Sequence, residues 1–169
     1  MYAGVDYDTK AIHVVLLPEE GPARYLPFVM HGHDAFERTR VVRDVMPARG
    51  WWEDEGVIAI GIEEPMGQST RPLNRVQGAV LACLPSSILV QPFMPGEWRN
   101  AVELKGNATK EAVAEFVLEM RGLDQALANE GTCQDALWTP VELDEWPQDA
   151  CDAYCLALAV QKRTEPVAA

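Results

Sequence analysis

At 169 residues, 48% of them apolar, the chain is long enough for one domain with a full two- or three-layer core, expected over 1–163. It is too apolar for disorder beyond a short tail at 164–169. No apolar run approaches a membrane span, and the four cysteines form no C-x-x-C pair, which sets aside a membrane protein, a disulfide scaffold and a zinc finger. A net charge of −12 argues against a simple electrostatic nucleic-acid binder, unless acids gathered around divalent metals are neutralised in the working state.

The first strand is predicted over 2–8, where apolar residues flank a single carboxylate, Asp6. An unpaired buried carboxylate is costly, so Asp6 is either at the surface by register or placed to bind a cation. Apolar runs at 11–17 and 24–30, separated by Pro18-Glu19-Glu20-Gly21-Pro22, complete an antiparallel meander. His33 or Asp34 can cap a helix over 35–46 whose Phe36, Val41, Val42 and Val45 can face the sheet. Residues 47–56 read as a loop, with Trp51 and Trp52 as packing anchors rather than base-stacking platforms.

Residues 57–62 are a nearly continuous apolar run, as in a strand covered on both faces, and end abruptly in Glu63-Glu64-Pro65. Ser69 or Thr70 can cap a helix over 71–84, stopped by Pro85. A fifth strand is expected over 87–90, then a break over 92–96 and a helical turn around Trp98. A helix over 108–127 carries Val113, Phe116, Val117 and Met120 as its apolar stripe. A loop over 132–146 precedes a last helix, opened by Pro147 and running to 162. The order β-β-β-α-β-α-β-α-α predicts an α/β fold: a mixed five-stranded sheet, three antiparallel strands then parallel ones, with helices on both faces.

Asp6 and Glu63 fall at strand positions, Glu63 at the end of the fourth strand. Asp149 and Asp152 lie three apart on the last helix, so they project from one face beside Ala153 and Leu156. Like charges this close raise each other's pKa unless cations intervene. Oxygen-only ligands suit Mg²⁺ or Mn²⁺, and two such ions about 4 Å apart can position a water for in-line attack on a phosphodiester. Alone, Asp149 and Asp152 are equally explained as acids at a helix N-terminus. With Asp6 and Glu63 they read as a metal site.

Gly4-Val5-Asp6, Ile62-Glu63-Glu64 and Asp149-Ala150-Cys151-Asp152-Ala153 resemble, in order and spacing, the three acidic motifs of RuvC-type Holliday-junction resolvases in the ribonuclease H-like superfamily. The small phage-encoded members are similar in size. The resemblance implies Asp6, Glu63, Asp149 and Asp152 as ligands of two Mg²⁺ ions, replaceable by Mn²⁺, with Asp6 bridging. Glu64 is the alternative to Glu63, because a one-residue slip turns a strand side chain to the other face. The resemblance also places basic residues after the fifth strand. Arg99 and Lys110 fall there with Lys105 nearby, as phosphate contacts or as ordinary solvated charge. Lys110 would stabilise charge on the scissile phosphate.

Bacterial members have an aromatic wedge after the second acid, and Met66 stands there instead, either inserting between bases or packing in its loop. Tyr7-Asp8 replaces small residues, leaving Asp8 as an extra ligand or mere surface. The implied activity is a metal-dependent, structure-selective endonuclease that cuts Holliday junctions or other branched DNA and leaves 5′-phosphate ends. A cytoplasmic homodimer without membrane association is expected (in the host's cytoplasm if phage-encoded). Its interface would be Leu73, Val76, Val80 and Leu81 of the helix over 71–84, unless that face covers the sheet.

Alternatives are a flap, fork or RNA–DNA hybrid nuclease and a non-catalytic DNA-binding module. A sugar-kinase or actin-like ATPase shares the topology but needs a glycine-rich phosphate loop, and Asp6-Tyr7-Asp8-Thr9-Lys10 has no glycine. His31-Gly32-His33-Asp34 is a weak metal cluster without a partner motif. Cys151 and Cys155 read as small buried residues.

Overall fold

The computed structural model describes residues 1–66, 71–121, 126–128, 139–141 and 146–165. Strands β1 (Tyr2–Tyr7), β2 (Ala11–Leu17) and β3 (Ala23–Val29) form the antiparallel meander. Strand β4 (Ala59–Glu63) lies parallel to β1, and β5 (Leu89–Phe93) parallel to β4. The five-stranded mixed core therefore runs β5-β4-β1-β2-β3. Two short strands, β6 (Ala126–Ala128) and β7 (Thr139–Val141), extend it beyond β3. Both outer strands contain a proline, Pro92 in β5 and Pro140 in β7.

Period-two alternation splits the sheet into two cores. Val5, Ile12, Leu26 and Ile60 face a layer of α1 (Ala35–Val45), α2 (Arg49–Asp54) and α3 (Arg71–Cys83). Tyr2, Val15, Tyr25 and Ala59 face α4 (Pro95–Ala101), α5 (Lys110–Arg121) and α6 (Gln148–Thr164). Helix α6 is apolar almost all round, as a helix sunk into a core must be. It touches the sheet backbone to backbone: a Cβ at Gly4 would lie 1.7 Å from the Ala153 carbonyl oxygen, and one at Gly61 would lie 2.3 Å from that of Leu156. The two glycines thus seat the helix directly on β1 and β4.

Several boundaries differ from expectation. The segment over 47–56 contains a helix, α2, nucleated by burial of Trp52, whose ring meets Trp51 edge-on at 5.2 Å. β5 continues to Phe93 instead of ending at Val90, because its pairing with β4 extends to Glu63↔Phe93 and an outer strand tolerates Pro92. The helix expected over 108–127 ends at Arg121, and Leu127 belongs to β6. β7 lies inside the stretch read as loop, while Ser69 and Thr70 fall outside the described residues. Phe36 and Met120 are exposed rather than core-facing, Phe36 lying 6.0 Å from the Arg75 guanidinium.

Asp34 caps α1, accepting from the backbone N–H groups of Phe36 and Glu37, and these bonds hold its pKa below the usual carboxylate range. The stretch His31–Asp34 is therefore a helix start. On α3, Val76 and Val80 are fully buried in the chain's own core, so that pair covers the sheet and is not free for an interface; Leu81 remains exposed.

Candidate active site

The same alternation that divides the core gathers the acids. Gly4 and Asp6 on β1, and Gly61 and Glu63 on β4, share the face on which α6 rests. Glu64, one residue on, is exposed and turned away, so Glu63 is the acid that β4 delivers. The first turns of α6 arrive over the carboxyl ends of these strands carrying Asp149 and Asp152, at the edge where α/β sheets place their ligands.

One oxygen from each of Asp6, Asp149 and Asp152 lies within 4.8 Å of the others. A small divalent cation with oxygens at about 2.1 Å spaces its ligands roughly 3–4 Å apart, so modest rotamer adjustment makes this an all-oxygen cage for a hard cation. Glu63 stands beside the trio, its Oε2 accepting from Trp98 Nε1 at 2.7 Å. Gln148 Nε2 donates to Asp152 Oδ1 at 3.0 Å, and the Tyr7 backbone N–H donates to Asp6 Oδ1 at 2.9 Å.

The electrostatics agree with that chemistry. Burial first, then the charges of Glu63, Asp152 and Asp149, push the Asp6 carboxyl well above its usual range. Burial also raises Glu63 and Asp152; the Trp98 indole opposes it at Glu63, the Gln148 amide opposes it at Asp152, and the Arg99 guanidinium opposes it at both. A cluster of acids that cannot all ionise cheaply favours a cation in their midst.

Of the basic residues, Arg99 is half-buried with its guanidinium 4.5 Å from the Trp98 ring, and Lys110, at the start of α5, is close enough to lower the pKa of Asp152. Lys105 is exposed and has no comparable contact with the acids among the described residues. Met66 is 57% exposed, three residues beyond Glu63. Asp8 is a turn residue whose Oδ1 accepts from the Ala11 N–H at 2.7 Å, which accounts for it as surface. Cys151 and Cys155 are buried, and burial pushes the Cys151 thiol up to about 11. A cavity of about 870 Å³ lined by Arg40, Arg43, Arg49 and Cys83 lies at the far end of α1 and α3 and contains none of the predicted residues.

No family model and no curated relative matches the sequence. Among solved structures, the RuvC structure from Thermus thermophilus matches with a TM-score of 0.61 and 21% identity, over 95% of this chain and 92% of that one. The T. thermophilus RuvC in complex with a Holliday junction substrate matches with a TM-score of 0.59 and 19% identity, over the same shares. The chain has the RuvC fold. Within that fold Asp6, Asp149 and Asp152 lie together and Glu63 stands at their side.

Sequence reasoning missed four neighbours of the acids: His13, Tyr25, Trp98 as the Glu63 donor, and Gln148. His13 was within reach, because the tight β1–β2 turn fixes the register Asp6↔His13 and so puts both side chains on one face. Tyr25 and Trp98 come from elements whose sequence carries no mark of the contact.

Proposed function

We propose that the chain is a metal-dependent, structure-selective endonuclease that cleaves Holliday junctions or closely related branched DNA. The observation that carries the reading is the meeting of Asp6, Asp149 and Asp152 at the carboxyl ends of β1 and β4 in a chain with the RuvC fold. That one of the similar structures was solved with a Holliday junction substrate favours a branched duplex over a linear one.

The donor set fits Mg²⁺, with Mn²⁺ as substitute: four carboxylates and no sulfur, with Asp6, Glu63 and Asp152 raised by burial and neighbouring charge. Asp6, Glu63, Asp149 and Asp152 would hold two such ions, and Asp6, at the centre of the charge cluster, would bridge them. Bound there, the ions supply charge neutralisation and Lewis acidity for hydrolysis of a phosphodiester to a 5′-phosphate end. Trp98 fixes the Glu63 carboxylate and Gln148 that of Asp152. Lys110 offers its ammonium to the scissile phosphate, Arg99 and Lys105 take flanking phosphates, and Met66 presses on the bases at the branch point. Two symmetric cuts require two sites, so a two-fold homodimer is the assembly proposed.

Cleavage of a four-way junction, a flap, a fork and an RNA–DNA hybrid with Mg²⁺ tests the reading. The wild type is expected to cut the junction best, and Asp6→Asn to bind it without cutting. Junction cleavage by Asp6→Asn at the wild-type rate overturns the site assignment. Preferred cutting of the hybrid or the flap overturns the substrate class.

A further inference from the structure

Three of the acids have a protein group that fixes a carboxylate oxygen: the Tyr7 N–H for Asp6, Trp98 for Glu63 and Gln148 for Asp152. Among the described residues no such group holds Asp149. It occupies the first turn of α6 with its side chain 38% exposed, and its described side-chain partner is His13, whose Nε2 lies 3.6 Å from Asp149 Oδ2.

His13 is itself closely constrained. It is buried on β2 directly across from Asp6, and its Nδ1 is 2.8 Å from the Tyr25 hydroxyl. The His13 and Tyr25 rings are nearly parallel, 3° apart in plane, and Tyr25 is backed in turn by Trp146 at 5.3 Å. In the tautomer in which the Tyr25 O–H donates to Nδ1, the neutral imidazole carries its proton on Nε2, the nitrogen 3.6 Å from Asp149 Oδ2 and just outside direct hydrogen-bond distance.

We propose that His13, keyed by Tyr25, is a positioning residue for Asp149, engaging one carboxylate oxygen so that the other is presented to the cation shared with Asp6 and Asp152. The inference rests on the metal-site reading above. Removing a group that orients a metal ligand from behind commonly costs about 10–100-fold in metal affinity. A histidine that merely filled the core could be replaced by a residue of similar size without that loss.

The test is Mn²⁺ binding to the full chain, followed by electron paramagnetic resonance, with thermal melts to confirm folding. His13→Leu is expected to weaken Mn²⁺ about 10–100-fold. His13→Gln, which can return an N–H near the position of Nε2, is expected to restore binding to within a few-fold of wild type. Tyr25→Phe keeps the ring stack, removes only the hydroxyl and is expected to weaken Mn²⁺ by about 3-fold or more. If His13→Leu fails to fold, the Gln and Phe variants decide. Wild-type affinity in Tyr25→Phe, or equal losses in the Leu and Gln variants, overturns the positioning role while leaving the metal site standing. A wild type that binds no Mn²⁺ overturns both.

Discussion

Gly4→Ala tests the contact on which the site's geometry rests. The new Cβ would sit 1.7 Å from the Ala153 carbonyl oxygen, whereas ordinary contact begins at 3.4 Å, so strand and helix must part by roughly the difference, about 1.7 Å. The obstacle is backbone, which cannot swing aside as a side chain does. Overpacking of this kind costs about 3 kcal/mol or more, at the top of the usual range. For a chain of this size that corresponds to a fall in melting temperature of roughly 6–12 °C. Ala153 adjoins Asp152, so retreat of the helix carries Asp149 and Asp152 away from Asp6. A misplacement of about 1 Å at reacting groups can cost about 100-fold in rate.

Gly78→Ala is the control, since nothing lies within 4 Å of a Cβ there and the residue is in mid-α3. It should gain about 0.5–1 kcal/mol from helix propensity. Calorimetry, Mn²⁺ titration and junction cleavage on both variants decide. A Gly4→Ala protein that melts within about 2 °C of wild type and binds Mn²⁺ equally would refute the backbone-contact reasoning.

Mg²⁺ at about 100 times its dissociation constant should stabilise the wild type by about 2.7 kcal/mol, a rise in melting temperature of roughly 5–11 °C reversed by chelation, and should leave Asp6→Asn almost unmoved. Asp6 has a raised folded-state pKa, so without metal the unfolded chain ionises this carboxyl first as pH climbs. Metal-free stability therefore falls from about pH 4 upward until the folded value is passed. Asp6→Asn should lack this contribution and be the more stable protein at neutral pH, and urea midpoints across pH that run parallel would contradict it. Trp98→Phe removes the donor to Glu63. It should cost about 1.5–3 kcal/mol for that bond, beyond any loss from the smaller ring, with weaker Mn²⁺ binding; an unchanged urea midpoint would discount the contact.

The acids were legible in the sequence because two local rules locate them: alternation along β1 and β4, and the three-residue spacing on α6. Neither rule sees across elements. Nothing in the local pattern of the chain around Trp98 marks it as the partner of Glu63, 35 residues away. The helix α2 was misread for the same reason, since its short, glycine-containing segment has little intrinsic helicity and forms because Trp52 has somewhere to bury. On α3, the stripe containing Val76 and Val80 was expected at a dimer interface, but a local apolar stripe does not say what it faces, and here it faces the sheet.

Pro92 has a consequence for self-association. Residues 89 and 93 bond inward, to Ile58 and Glu64, so Pro92, midway between Gln91 and Phe93, turns its backbone outward on the open side of β5. There it has no amide hydrogen to offer, and its carbonyl is already occupied by Gln91 Nε2 at 2.9 Å. An incoming strand therefore finds this border closed at Pro92, near the end of β5. The β5 border is thereby a poor place for one sheet to continue into the next.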